Sequence, residues 1–305
     1  MIEVFRALGN RNRLRIVCIL ERGPLNVSEI TSVLMLQQSN ASRHLRRLLE
    51  AGVVKRHGSH GWSYYMLSDE NPNVAEIIEL ARGEVEDRDW FKRDSKRLAK
   101  CFLERKESSR RFFDQKASRW DRLGRMLPDA ESYLEDVMAE LPSDGDLVEI
   151  GCGTGKLMVR LSGSCGRIIG VDQSAEMLSR AAKRVIEAGI SKRAELRLGD
   201  AEHIPVGDGR ADGVLMNMVL HHVPEPAEVL FECARILRSG GILILAELTE
   251  HQNSDFQQQQ GDLWPGFKKQ TLESWLAGAG FDEKRSGTIN SGKGFWIAVT
   301  RRERA

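Results

Sequence analysis

The chain has 305 residues, of which 45 are lysine or arginine and 44 are aspartate or glutamate, so its formal net charge is +1. This balance excludes a protein that binds nucleic acid as a general polycation, and the length exceeds one ordinary hydrophobic core, so two domains are expected. Residues 36–60 nevertheless carry five cationic side chains against one acid. Such a local basic patch is typical of a nucleic-acid-binding face, with a solvated helix face as the alternative.

The five cysteines are scattered, at positions 18, 101, 152, 165 and 233, and none belongs to a C-x-x-C pair. An odd, scattered set argues for a reducing compartment and against a disulfide framework or a zinc site. No signal-peptide pattern opens the sequence, and no apolar run approaches the ~20 residues that span a bilayer. We therefore expect a soluble, cytoplasmic protein that does not associate with a membrane.

Apolar stripes and helix-ending signals alternate over the first part of the chain. Two short helices are predicted over 3–21, Asn26 suits the N-cap of a third, and a fourth begins at 39 and ends at Gly52. Two β-rich runs around the turn GSHG then predict a hairpin. A helix-turn-helix followed by a hairpin predicts a mainly α winged helix-turn-helix domain over residues 1–70.

Polar side chains crowd the start and the exposed face of the fourth helix, and basic residues follow in the hairpin. Amide, hydroxyl and guanidinium groups are those with which a recognition helix contacts base edges and phosphates. Surface solubility is the alternative explanation for the cations. The predicted DNA-binding residues are Gln38, Ser39, Asn40, Ser42, Arg43 and Arg46 of the helix, with Lys55 and Arg56 of the hairpin.

The stretches ALGNRNRLRIVCIL and LNVSEITSVLMLQQSNASRHLRRLLEAGVVKRH, with the aromatic second wing strand, resemble the ArsR-type winged-helix repressors. The resemblance implies a homodimer that binds a palindromic operator in double-stranded DNA. Many relatives sense metals through cysteines at the start of the third helix or through carboxylates and histidines of the dimer helix. Here residues 25–28 contain no cysteine and residues 72–112 no histidine, so no metal effector is expected.

Residues 71–113 are densely charged with sparse apolar anchors, which predicts solvated helices. In ArsR-like proteins the corresponding helix pairs two subunits, and a plain interdomain spacer is the alternative. The run FFDQKASRWDRL at 112–123 resembles the lead-in helix that covers the cofactor pocket of many methyltransferases. We predict dimerisation or linker helices over 71–113 and a further domain over 114–305.

The stretch DLVEIGCGTGK at 146–156 reads as a buried strand, a glycine turn and a helix start. Its G-x-G-x-G spacing differs from the G-x-G-x-x-G of dinucleotide sites, and the acid that ends the strand suits a ligand with an amino group. Asp172 ends the next strand, 21 positions after Gly151, where it can bind both ribose hydroxyls. Asp200 and Ala201 follow a third strand and can recognise an adenine edge.

The motifs VEIGCGTGK, VDQS, GDAEHIPV, NMVLHHV and RILRSGGILILAEL resemble class I S-adenosylmethionine-dependent methyltransferases. The resemblance implies a doubly wound α/β, Rossmann-like domain with a seven-stranded sheet whose last strand is antiparallel. It also implies S-adenosylmethionine or S-adenosylhomocysteine as cofactor, with no metal. The implied binding residues are Glu149, Gly151, Gly153 and Gly155 for the methionine moiety, Asp172 for ribose, Met177 nearby, Asp200 and Ala201 for adenine, and Asn217.

His221 and His222 are weak catalytic candidates. Relatives often have histidine here without an agreed role, no feature of the sequence provides either with a partner, and methyl transfer needs mainly proximity and in-line geometry. From position alone, Glu247, Trp264 and Phe267 are expected on the substrate side.

Three functions are compatible with this organisation. The chain resembles ArsR-type regulators of the methionine cycle that respond to S-adenosylhomocysteine, which favours a repressor with a nucleoside effector that controls methionine-cycle genes. Under this hypothesis S-adenosylhomocysteine loosens DNA binding. The alternative is an active methyltransferase acting on a small molecule, with the winged helix for autoregulation. A fold retained only for dimerisation ranks last, because a scaffold has no need of the acids and glycines.

Overall fold

A computed structural model describes residues 2–57, 63–68, 72–85, 88–123, 144–251, 253, 261–290 and 296–304. The chain divides into two compact units, Met1–Glu107 with Gln252–Leu263, and Ser108–His251 with Trp264–Ala305. One helix crosses the division at 107/108 without a break, so no change of secondary structure marks the 113/114 boundary expected from the sequence. None of the described helices combines the length and apolar character that crossing a bilayer requires.

The first unit consists of helices and a small sheet. Its helices are α1 (Ile2–Leu8), α2 (Arg11–Leu20), α3 (Val27–Leu34), α4 (Gln38–Glu50), α5 (Pro72–Val85) and the first part of α6 (Asp89–Lys116). Its strands are β1 (Leu25–Asn26), β2 (Val54–His57) and β3 (Tyr64–Leu67), arranged in the order β1-β3-β2 with antiparallel pairing. This is the predicted winged helix-turn-helix. The hairpin tip, residues 58–62, lies outside the described residues.

Short-range capping explains where the helices of this unit begin. The Asn10 side chain caps α2, and Asn26 and Glu29 form a reciprocal capping box at α3. The apolar stripe of α4 packs into the same core as Leu98 and Phe102 of α6. The first part of α6 therefore belongs to the hydrophobic core of the winged-helix unit.

The second unit alternates strands and helices. After the rest of α6 and a 3₁₀ turn, it contains α7 (Trp120–Leu123), β4 (Asp146–Ile150), α8 (Lys156–Leu161), β5 (Arg167–Asp172), α9 (Ala175–Glu187), β6 (Ala194–Leu198), β7 (Ala211–Asn217), α10 (Pro226–Ile236), β8 (Leu237–Leu248), α11 (Lys269–Gly278), β9 (Phe281–Asn290) and β10 (Trp296–Arg304).

The seven strands of this unit form one sheet in the order β6-β5-β4-β7-β8-β10-β9. Strands β4 to β8 pair in parallel, whereas β10 is antiparallel to both β8 and β9, which confirms the predicted sheet with its antiparallel last strand. The strand order reverses on either side of β4. Open α/β sheets bind ligands at such a switch point, beyond the carboxyl ends of the strands.

Candidate functional site

The glycine loop after β4 is built from three left-handed residues, with φ of 69° at Gly151, 52° at Gly153 and 74° at Gly155. A Cβ at Gly151 would lie 2.4 Å from Val219, and one at Gly155 would lie 3.0 Å from the Cβ of Ala181. Glycine is required there by backbone conformation and by close packing together. A Cβ at Gly153 would meet nothing nearer than the Trp120 indole nitrogen, at 3.8 Å, so the space in front of this residue is open.

Glu149 lies at the end of β4 and is only 3% exposed. Its Oε2 atom is buried with no hydrogen-bond partner among the described residues. Burial, together with the negative charge of Asp172, raises the pKa of Glu149 well above its ordinary range. A buried carboxylate oxygen in this state takes up a proton or accepts a hydrogen bond from an incoming donor. An ammonium group is such a donor.

Asp172 at the end of β5 connects the glycine loop to the next helix. Its Oδ2 accepts a hydrogen bond from the Gly153 N–H at 2.8 Å, and its Oδ1 accepts one from the Ser174 N–H at 2.9 Å. Burial raises the pKa of Asp172 and the charge of Asp114 adds to the rise, although the backbone hydrogen bonds oppose it. The carboxylate is thus fixed at the predicted ribose position, beside the loop predicted to bind methionine.

The other predicted cofactor residues lie around the same edge of the sheet. Asp200 accepts hydrogen bonds from the N–H groups of Glu202 and His203, which orders the turn after β6. Ala201 and Asn217 are half-buried, whereas Met177 is 1% exposed. Met177 therefore belongs to the packed layer beneath the surface, with its N–H bonded to the Ser174 hydroxyl.

A network that the sequence did not reveal joins α7 to the glycine loop and α9. The Thr154 hydroxyl donates to Asp121 at 2.7 Å, and Arg184 donates to the Thr154 carbonyl at 2.7 Å and to Asp121 at 2.5 Å. Burial acts to raise the pKa of Asp121, but the hydrogen bonds from Thr154 and Arg184 outweigh it and lower the pKa. The lead-in segment thereby fixes the loop that ends β4.

A second connection starts from α6. The Ser174 hydroxyl donates to Asp114 at 2.6 Å, and the Gln173 side-chain amide donates to the Ser109 hydroxyl at 3.3 Å. Ser174 also caps α9 and bonds to Asp172 through its N–H. The end of α6 is therefore bonded to the residues that follow Asp172, the predicted ribose-binding acid. Only the resemblance of the lead-in run to methyltransferases signalled this role in the sequence.

His221 has a partner that the sequence did not disclose. Its Nδ1 forms a short contact with Glu247, which is itself fully buried and accepts the N–H of Leu248 at 2.8 Å. His221 is 1% exposed and Phe267 5% exposed, so neither they nor Glu247 present an open surface to a substrate. The half-buried Trp264 donates its indole N–H to a backbone carbonyl. The expectation that Glu247, Trp264 and Phe267 line the substrate side stays a prediction.

The predicted DNA-binding residues lie on one exposed surface of α4 and on β2. Asn40 and Lys55 are half-buried, and the remaining six are exposed, namely Gln38, Ser39, Ser42, Arg43, Arg46 and Arg56. The N-cap residue of α4, Gln37, makes no side-chain hydrogen bond to the first turn of the helix. This surface has the polar groups and the charge that a DNA-binding face requires.

This surface adjoins four residues that the predicted set lacks, namely Arg13, His44, Arg47 and Glu50. A depression of roughly 580 Å³ beside α4 is lined by Arg13, Asn40, Arg43, His44, Arg46, Arg47 and Glu50. Arg13 comes from α2, where it also donates to the Arg6 carbonyl at 2.9 Å. Partial burial, with the charges of Arg13 and Arg43, lowers the pKa of His44. The spacing of residues 40, 43, 44 and 47 along one helix face was the available signal for His44.

The two units of the chain match different protein families. Residues 10–56 match the family described as bacterial regulatory protein, arsR family, and residues 148–245 match the methyltransferase domain family. A demethylmenaquinone methyltransferase of Lactiplantibacillus plantarum is 31% identical over 145 residues, which are 45% of this chain and 61% of that protein. The chain spans between 34% and 62% of the length of four curated relatives that it matches.

Solved structures support the fold of the second unit. A S-adenosylmethionine-dependent methyltransferase from Thermotoga maritima has a TM-score of 0.51 at 25% identity, covering 65% of this chain and 100% of that one. The geranyl diphosphate C-methyltransferase of Streptomyces coelicolor, solved with Mg²⁺, geranyl diphosphate and S-adenosylhomocysteine, has a TM-score of 0.50 at 18% identity and covers 59% and 80%. The chain thus joins an ArsR-family helix-turn-helix domain to a methyltransferase domain with a Rossmann-like fold.

Proposed function

We propose that the chain is a DNA-binding transcriptional repressor whose methyltransferase domain binds S-adenosylmethionine or S-adenosylhomocysteine as its effector. The observation that carries this proposal is the buried, unpartnered oxygen of Glu149 beside the glycine loop. Both nucleosides bring an α-ammonium group that would satisfy it. The hydrogen-bond acceptors of the site therefore fit these ligands.

Each part of the ligand has residues that would bind it. Glu149 and the glycine loop would bind the methionine moiety, and Asp172 would accept the ribose hydroxyls. Asp200 and the Ala201 N–H would recognise adenine, Asn217 would lie beside the ligand, and Met177 would pack in the layer beneath it. S-adenosylmethionine would supply a methyl group on a sulfonium, whereas the chain itself binds and orients the nucleoside. A site without metal stays a prediction.

The DNA-binding half of the proposal rests on the exposed surface of α4. We propose a homodimer that places two such helices on a palindromic operator in double-stranded DNA, because closed twofold symmetry matches a palindrome. Control of methionine-cycle genes and a cytoplasmic location belong to the same proposal.

We propose that α6 conveys the effector signal, because it has fixed contacts in each unit. In the first unit its Asp94 accepts two hydrogen bonds from Arg15, at 2.7 and 2.8 Å. In the second unit its Asp114 accepts the Ser174 hydroxyl. A nucleoside changes DNA affinity only if it binds one arrangement of the two units more tightly than another.

Gel-shift titration of the full chain on its operator tests this function. We expect saturating S-adenosylhomocysteine to weaken operator binding, with S-adenosylmethionine as the comparison. If operator affinity is the same with and without a saturating concentration of either nucleoside, the effector role is contradicted.

The same preparation tests the alternative of an active methyltransferase on a small molecule. The burial of His221 and its contact with Glu247 count against it as an accessible base. Transfer of labelled methyl from S-adenosylmethionine to a small-molecule acceptor at ordinary enzyme rates, about 1 s⁻¹ or faster, would favour the alternative.

Replacing Arg46 by alanine is expected to weaken operator binding and to reduce the slope of log affinity against log salt by about one, because one phosphate or base contact is lost. Nucleoside affinity should be unchanged. The control is Arg180→Ala, which removes an exposed arginine from α9 in the second unit. Equal loss in both variants would mean that net charge alone matters.

A further inference from the structure

Three aromatic rings of the second unit come together from separate parts of the chain. Phe113 of α6 lies 5.2 Å from Trp120, with an angle of 75° between the ring planes. The same ring lies 4.9 Å from His222, at 86°. All three side chains are half-buried. Because the ring planes of each pair are nearly perpendicular, the three rings pack edge to face and do not form a parallel stack. We call Phe113, Trp120 and His222 the aromatic corner.

The aromatic corner borders the glycine loop at the carboxyl end of β4. The Trp120 indole nitrogen lies 3.8 Å from the position of a Cβ on Gly153, and the neighbouring Asp121 binds the Thr154 hydroxyl. His222 belongs to the turn after β7, whose Val219 packs against Gly151. The corner therefore adjoins the part of the site to which we assign the methionine moiety.

The ionisable side chains around this part of the site are mainly acidic, although the charge of Lys156 also acts on Asp121. Glu149 and Asp172 end strands β4 and β5, and Asp114 accepts the Ser174 hydroxyl close to Asp172. The nearby guanidinium of Arg184 is already bonded to Asp121 and Thr154. Aromatic faces attract cations, and groups of rings are the usual way in which proteins bind onium groups such as trimethylammonium. A cationic group of the ligand is therefore attracted to these rings, whereas a neutral group gains no such electrostatic attraction.

We propose that the aromatic corner binds the methylsulfonium of S-adenosylmethionine and makes the site prefer this nucleoside to S-adenosylhomocysteine. The inference rests on the proposed function, which assigns the ligand class. The neutral thioether of S-adenosylhomocysteine gains no cation–π attraction, so the preference amounts to roughly 2- to 30-fold in affinity. The two nucleosides compete for one site, and this preference sets the ratio at which the demethylated form displaces the methylated one.

Calorimetric titration of the full chain with each nucleoside tests the inference. The variants are Trp120→Leu, which keeps apolar bulk without a π-system, and Trp120→Phe, which keeps a ring. Phe231→Leu, on the exposed surface of α10, is the matched control. We expect Trp120→Leu to bring the ratio of the two affinities close to one, mainly by weakening S-adenosylmethionine. Trp120→Phe should retain most of the preference, and Phe231→Leu all of it.

An analogue that carries a protonated amine in place of the sulfonium separates charge from shape. It should bind as S-adenosylmethionine does and lose affinity in Trp120→Leu. Equal affinity of the unchanged protein for both nucleosides would overturn the inference, and so would an equal loss for both in Trp120→Leu, which would mark Trp120 as a plain apolar cover. In either case the proposed function survives. Failure of the unchanged protein to bind either nucleoside overturns both.

Discussion

Replacing Glu149 by glutamine is expected to stabilise the second unit at neutral pH and, at the same time, to weaken nucleoside binding. Burial and the charge of Asp172 raise the pKa of the carboxyl well above its ordinary value of 4.5. The folded protein without ligand therefore binds this proton more tightly than the unfolded chain does. The contribution of the Glu149 carboxyl to stability is fully present below pH 4.5 and is lost as the pH rises through the raised pKa.

Glutamine does not ionise, so the variant escapes this loss. The difference in stability between variant and unchanged protein should grow as the pH rises from about 4.5 through the raised pKa and then level off. Thermal unfolding over a pH series measures it, and the transition that shifts with added nucleoside identifies the second unit. Parallel pH profiles for the two proteins would contradict the assignment.

The effect on binding has the opposite sign because the ligand brings its own cation. An ammonium stabilises the ionised form of Glu149, and a hydrogen bond between charged groups contributes about 1.5–3 kcal/mol, or roughly 10- to 150-fold in affinity. Binding by the unchanged protein should release protons at pH values between the ordinary pKa of 4.5 and the raised pKa. Calorimetry in buffers of different ionisation enthalpy measures that release, which should be smaller in the variant. Similar proton release from both would assign the proton to another group, such as Asp172.

The sequence predicted well those parts of the fold that depend on short-range sequence patterns. The Asn26 and Glu29 capping box spans four residues, and the three glycines fall within five, so both can be recognised without a partner elsewhere. The open parallel sheet followed from the alternation of strands and helices, because parallel strands need crossover connections. For the same reason the acids at the ends of β4 and β5 could be assigned to one edge of the sheet.

The sequence did not predict contacts between residues that are distant along the chain. Asp121 and Arg184 are 63 positions apart, and His221 and Glu247 are 26 apart. A single sequence shows which residue types are present but not which partners they choose. It also cannot distinguish a buried histidine from an exposed one after a strand, so the burial of His221 was not predicted.

Glu29 and Arg105 form another such pair, 76 positions apart, and its disruption is expected to destabilise the first unit strongly. The guanidinium donates to both carboxylate oxygens, at 2.7 and 2.5 Å, and its side chain is only 7% exposed. It also lies over the rings of Tyr64 and Phe102. In Glu29→Gln the capping box of α3 remains, because glutamine serves at the same position. The loss of stability in Glu29→Gln therefore reports the removal of the carboxylate charge.

The expected cost of Glu29→Gln is about 3 kcal/mol in the free energy of unfolding, because an uncompensated guanidinium stays buried. Adding Arg105→Met removes that cation and fills its volume with an apolar chain, so the double variant should regain most of the stability. Urea unfolding of the full chain measures both. Glu104→Ala is the control, since its ion pair with Lys100 is exposed and contributes less than about 1 kcal/mol. A double variant no more stable than Glu29→Gln would show that the carboxylate stabilises the capping of α3 instead of neutralising Arg105.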